Sequence, residues 1–139
     1  MADKLITNPL GAFGYTATDD LLYSLHAPFK ASTDITGPCV VAMNTTGSVA
    51  AVATNASTAQ VVGICINSPL SGGVADVVVL GCAKSVPIGG TISAGQILKV
   101  SVTTAGRVNS TTAPAAAEAL GVAIKDGSAA NGTVDMWVK

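Results

Sequence analysis

The stretch Gly37-Pro-Cys-Val-Val-Ala-Met-Asn-Thr-Thr-Gly-Ser-Val49 is followed by Val61-Val-Gly-Ile-Cys-Ile66 and Gly73-Val-Ala-Asp-Val-Val-Val-Leu80. About 58 residues further on, the same order returns as Gly95-Gln-Ile-Leu-Lys-Val-Ser-Val-Thr-Thr-Ala-Gly-Arg-Val108, Ala119-Leu-Gly-Val-Ala-Ile124 and Gly132-Thr-Val-Asp-Met-Trp-Val138. Each copy reads as strand, Thr-Thr turn with Gly, polar loop, hydrophobic-Gly-hydrophobic strand, Gly turn and final strand. Short β-branched runs bounded by Gly, Asn and Ser predict strands rather than helices. The fold class expected is therefore all-β: an antiparallel barrel or sandwich built from two similar units, approximately 37–80 and 95–138.

Val100-Ser-Val102 and Val134-Asp-Met-Trp-Val138 alternate, which predicts one buried and one wet face. Val77 to Leu80 is apolar throughout, so it is either buried on both faces or meets another subunit. Val86 to Gly95 reads as a turn-rich connector, with Pro87 at a strand edge or bulge.

Residues 1–36 break the repeat and read as an irregular N-terminal arm ahead of a β domain at 37–139. Four of the five aromatics lie there (Phe13, Tyr15, Tyr23, Phe29), together with the single histidine. Thr18 as a cap, Asp19 and Asp20 in a first turn, then Leu21, Leu22 and Leu25 before Pro28 predict one short helix over 18–26. Phe13, Tyr15, Leu21, Leu22, Tyr23 and Phe29 are the candidates for contact with a neighbouring subunit or partner, since large aromatics on loop-like segments make good interface anchors. The alternative is that the aromatics cap an open end of the barrel.

A chain of 139 residues accommodates one domain. Only 11% of residues are charged, so the surface must be clothed in Thr, Ser, Asn and Gly, and like-charge repulsion opposes association only weakly. Homo-oligomerisation is the expectation. The basic residues are scattered singly and the net charge is −1, which argues against nucleic acid. No apolar run approaches the length of a membrane helix, and Met1-Ala2-Asp3-Lys4 does not open a signal peptide, so synthesis in a cytoplasm is expected. Cys39, Cys65 and Cys82 lack CxxC spacing and sit in apolar contexts, which predicts buried free thiols and no metal.

Signs of chemistry are sparse. His26 has no acid at recognisable spacing, Asp19-Asp20 reads as a helix start, and Gly72-Gly73 and Gly89-Gly90 lack the context of a phosphate loop. No catalytic residue and no cofactor is expected.

The pattern from Gly95 to Val138, with Val61 to Ile66 and Val86-Pro-Ile88 in the first half, resembles the small bacteriophage capsid decoration, or cement, proteins. The resemblance covers about residues 37 to 139. It implies a noncatalytic β protein of the virion's outer surface that binds the major capsid protein lattice and staples capsomers together, in a family whose members are often trimers. Other readings of the residues remain: another structural head or tail component, or a carbohydrate-binding adhesion module.

Overall fold

The structure, a computed structural model, describes residues 24–51, 60–101, 104–112, 119–128 and 132–139. Its strands are β1 (Ser24–Lys30), β2 (Cys39–Met43), β3 (Val49–Ala51), β4 (Gln60–Cys65), β5 (Val74–Pro87), β6 (Ile97–Val100), β7 (Val108–Thr111), β8 (Ala119–Ala123) and β9 (Thr133–Val138). The chain is all-β, and its sheet curls as a half-barrel in the order β3-β2-β4-β5-β9-β8-β6-β7, with β1 paired to β5 off that path. All these strand pairs are antiparallel.

The sheet order reads the same from both ends. β3-β2-β4-β5 and β7-β6-β8-β9 are two copies of one arrangement, joined where β5 pairs β9. Local chemistry fixes the first hairpin of each copy. Asn44 Oδ1 accepts hydrogen bonds from the Thr46 N–H (3.0 Å), the Thr46 hydroxyl (2.7 Å) and the Ser48 N–H (3.0 Å), and Gly47 turns the chain at φ 77°. In the second copy Ser101 Oγ accepts from the Thr104 N–H at 3.2 Å, and Gly106 takes φ 74°.

The repeat is longer than the sequence pattern suggests. β1 is the counterpart of the C-terminal half of β5, and the units run 24–80 and 81–138. Several of their backbone hydrogen bonds correspond. Ser32 N–H donates to Val49 O (2.8 Å) as Gly89 N–H does to Val108 O (2.9 Å), and Ile66 N–H to Asp76 O as Ile124 N–H to Asp135 O, both 2.9 Å. Ala31 bridges Val49 in parallel, as Ile88 bridges Val108, so the first strand of each repeat curls round to meet its third.

Two expectations change. Residues 24–36 belong to the first repeat, not to an arm, and Ser24 to His26 open a strand rather than end a helix. Pro28 had suggested a helix stop, yet it sits in a strand that pairs only with β5, a position where a missing N–H is tolerated. Val86 to Gly95 is likewise no mere connector, since it repeats the structure of 29–38. The remainder of the expected helix, and Phe13, Tyr15, Leu21, Leu22 and Tyr23, lie outside the described residues.

The buried side chains form two clusters, one in the first repeat and one that joins the second repeat to Val40, Ile64 and Val78 of the first. The first holds Phe29, Ala31, Ile35, Val41, Val49, Cys65, Ala75 and Val77. At the corresponding positions the second holds Val86, Ile88, Ile92, Leu98, Val108, Ala123, Val134 and Met136. Phe with Ala in one repeat answers Val with Ile in the other, and Ala75 with Val77 answers Val134 with Met136. Paired changes of this kind keep an interior filled without voids or overlap.

Gly63 and Gly121 occupy one equivalent site, opposite Val41 and Leu98 and beside a bulge in each ladder. A Cβ on Gly63 would collide with the carbonyl oxygen of Val78, and one on Gly121 with that of Trp137. Since these obstacles are backbone atoms of a laddered strand, they cannot move aside cheaply. Gly63→Ala and Gly121→Ala are each expected to destabilise the protein by on the order of 2 kcal/mol or more. Gly90→Ala, where nothing lies within 4 Å of the added carbon, should leave stability close to the parent. Urea unfolding of the three variants checks this, and equal midpoints would refute it.

Candidate interaction surface

Because residues opposite one another on antiparallel strands share a face, the ladder registers assemble rows of side chains. In the first repeat the row is His26, Val78, Ile64 and Val40. In the second it is Cys82, Trp137, Val122 and Ile97. These rows lie on the side of the sheet opposite the repeat's own interior, as alternation along each strand requires.

The two rows differ in what covers them. Val40, Ile64 and Val78 are buried at 0 to 1% exposure, in one cluster with side chains of the second repeat that include Ala83, Leu98 and Val138. The second repeat also sets its hairpin turn there. Gly106 O accepts from the Val40 N–H at 2.9 Å, and a Cβ on Gly106 would lie 3.1 Å from that of Cys39. Among the described residues, Trp137, Val122 and Ile97 of the second row join neither buried cluster, although Cys82 beside them is buried. Trp137 is 37% and Ile97 36% exposed, and Val122 is half-buried. Sequence reasoning missed this surface, because Trp137 reads there simply as one position in an alternating strand.

Of the six contact candidates, only Phe29 is among the described residues. It lies in β1, half-buried against the first interior, so it serves the barrel rather than a free arm. The apolar run at Val77 to Leu80 is resolved as well. Val77 faces the first interior and Val78 the second repeat, so both faces are covered within one chain, while Leu80 is exposed opposite Leu25.

Cys39, Cys65 and Cys82 are free and buried, as expected. Cys39 and Cys65 stand opposite each other on β2 and β4. Burial, reinforced by the neighbouring Cys65, pushes the Cys39 thiol up to about 12. Burial also raises Cys65, partly offset by a hydrogen bond to Asn67. A thiol held protonated is a poor nucleophile and a poor metal ligand. Among the described residues, no group of three or more His, Cys, Asp or Glu is placed to hold a metal ion.

One arrangement departs from the sequence reading of His26. Ser24 Oγ lies 2.8 Å from His26 Nε2, and Asp76 Oδ1 lies 2.8 Å from His26 Nδ1, so the acid partner comes from a strand 50 residues away. The connectivity is that of a nucleophile, base and orienting acid. Its setting is different: Ser24 and His26 lie two apart on an outer strand, and the side chains of His26 and Asp76 are 37% and 45% exposed. Asp76 stands opposite Pro28 in its ladder, whereas the corresponding Asp135 lies at the register shift between Ala83 and Val86, where its Oδ1 accepts from the Ser85 N–H at 3.0 Å.

No known family model matches the chain, and no curated protein matches it in sequence.

Two outcomes follow from this geometry. A fluorophosphonate probe is expected to leave Ser24 unlabelled in the native protein; labelling abolished by His26→Ala would show that the trio is catalytic. For the thiols, the folded value for Cys39 stands above the ordinary 9.0, so its contribution to stability is complete below pH 9 and is lost as pH rises toward 12. Melting temperature should therefore fall across that window, and fall less in Cys39→Ala; identical profiles for the two proteins would contradict the assignment.

Proposed function

We propose that this chain is a structural virion protein that decorates and stabilises the outer surface of a bacteriophage capsid by binding the lattice of the major capsid protein. The observation that carries this reading is the duplicated antiparallel β body from Ser24 onward. Val40, Ile64 and Val78 of the first repeat share one buried cluster with the second repeat, and Phe29 packs against the other cluster. Phe13, Tyr15 and Tyr23, with Leu21 and Leu22, precede that body in the sequence and are the side chains proposed to anchor on the capsid. The rest of the chain suits the same role. With 11% charged residues and a net charge of −1, it opposes close packing on a lattice only weakly. The resemblance of the repeated β pattern to cement proteins adds to this support.

Decoration of this kind needs no turnover. It needs a stable body, an anchor and multivalent attachment, in which linked copies raise one another's effective concentration. We read the protein accordingly as a noncatalytic one that takes no cofactor.

The test is a truncation that respects the observed boundary. Removing residues 1–23 spares β1, whereas removal through residue 30 strips β1 and Phe29 from the first interior. The shorter deletion is expected to keep the parent's melting temperature and to lose co-sedimentation with expanded capsids. The longer one is expected to melt lower. Full-strength capsid binding by the protein lacking 1–23 would eliminate the anchor, and a cryo-electron map of the virion without this protein on the shell would eliminate decoration.

A further inference from the structure

The body carries an internal interface of which both complementary halves recur, among the described residues, at partly or fully exposed positions. Within the chain, the row Val40, Ile64 and Val78 of the first repeat receives the second repeat, whose turn is buried at Gly106. Among the described residues, the equivalent row of the second repeat, Ile97, Val122 and Trp137, belongs to neither buried cluster and is partly exposed. The equivalent turn of the first repeat, Asn44 to Gly47, is exposed, and Gly47 has open space around it at nearly the φ of Gly106, 77° against 74°.

We propose that a second copy of this chain covers the Ile97, Val122 and Trp137 row with its first repeat, seating its Asn44 to Gly47 turn as the Gly106 turn is seated inside the chain. The contact is head to tail, because the receiving and donating surfaces lie on different repeats. Such a heterologous contact leaves one row and one turn free at the ends of any open chain of copies, and it is satisfied only by closure into a ring. Apolar area drives it: Trp and Ile on a shared sheet face are the kind of side chains that dominate interface energetics. The weak charge of the chain offers little opposition. This inference does not rest on the capsid reading, since it concerns the free protein.

The experiment is sedimentation velocity and native mass spectrometry of the full-length chain and two surface variants. Trp137→Glu spoils the receiving row, and Thr45→Arg spoils the donating turn at an exposed position. The parent is expected to assemble with rising concentration, and each variant alone to remain monomeric with the parent's circular dichroism spectrum. Mixed together, the variants should form a dimer and nothing larger, because one intact turn meets one intact row and the remaining pair is doubly spoiled. Should Trp137→Glu fail to fold, Ile97→Thr keeps a β-branched side chain in the strand and tests the same row. A parent that stays monomeric at all concentrations overturns the proposal. So does assembly undisturbed by either variant, and so does a Thr45→Arg protein that assembles normally while Trp137→Glu does not, which indicates a row-to-row contact. If the parent is monomeric and Trp137→Glu loses capsid binding, the row belongs to the capsid and not to a second copy.

Discussion

A single strand belongs to both repeats, and the rest of the molecule is arranged around it. β5 runs for 14 residues; its first half is laddered to β1 and β4, and its second half to β9. Because the last strand of one repeat is the first of the next, no linker separates them. Their relative placement is set by covalent continuity and by ladder register, and a one-residue slip in either ladder would turn interior side chains outward. Bulges let so long a strand serve two curled sheets. The register shifts between Leu25 and His26 in one ladder and between Ala83 and Val86 in the other. At the second, Ser85 takes φ 56°, a conformation that costs a non-glycine residue about 1 kcal/mol or more. The Asp135 carboxylate offsets that cost by accepting from the Ser85 N–H, and Lys125 lies 3.5 Å from its other oxygen.

The two interiors show what a duplicated β unit can vary and what it cannot. Volume moves between neighbouring positions, as Phe29 with Ala31 becomes Val86 with Ile88. Backbone approach does not move. Gly63 and Gly121 both stand where a strand passes too close for a side chain, and Gly47 and Gly106 both hold a left-handed turn. Interior residues are thus exchangeable in compensating sets, while the glycines are fixed individually by geometry.

That asymmetry explains what could be read in the sequence. The segments around the fixed glycines repeat visibly, hence the strand order, the all-β class and the spacing between copies were legible from Val61-Val-Gly-Ile-Cys-Ile66 beside Ala119-Leu-Gly-Val-Ala-Ile124. The first strand of each unit was not. Ser24-Leu-His-Ala-Pro-Phe-Lys30 and Gly81-Cys-Ala-Lys-Ser-Val-Pro87 hold the same place with no shared residue at matching positions, because neither contains a geometrically fixed glycine pair and their interior side chains trade volume with neighbours. Compositional contrast then drew the domain boundary at residue 36, past a strand that belongs to the body. The His26 contact was invisible for another reason: its carboxylate partner is a neighbour only across the β1–β5 ladder, and sequence spacing carries no trace of that register. The partly exposed row was hidden in the same way, since its members come from three strands.

Gly81 lies opposite Ser24 in one ladder and opposite Val138 in the other. The first described residue and the last strand therefore flank the same point of β5, separated by about two interstrand spacings, on the order of 10 Å. Mechanically, this makes the molecule anisotropic. A pull that draws Ser24 and Val138 apart across β5 loads the β1 and β9 ladders from their ends and opens them one hydrogen bond after another, as a zip opens. A pull along the strands shares its load among all the bonds of a ladder at once. Any attachment made through the segment ahead of Ser24 inherits this directionality, and it is strongest when the tension runs parallel to β1.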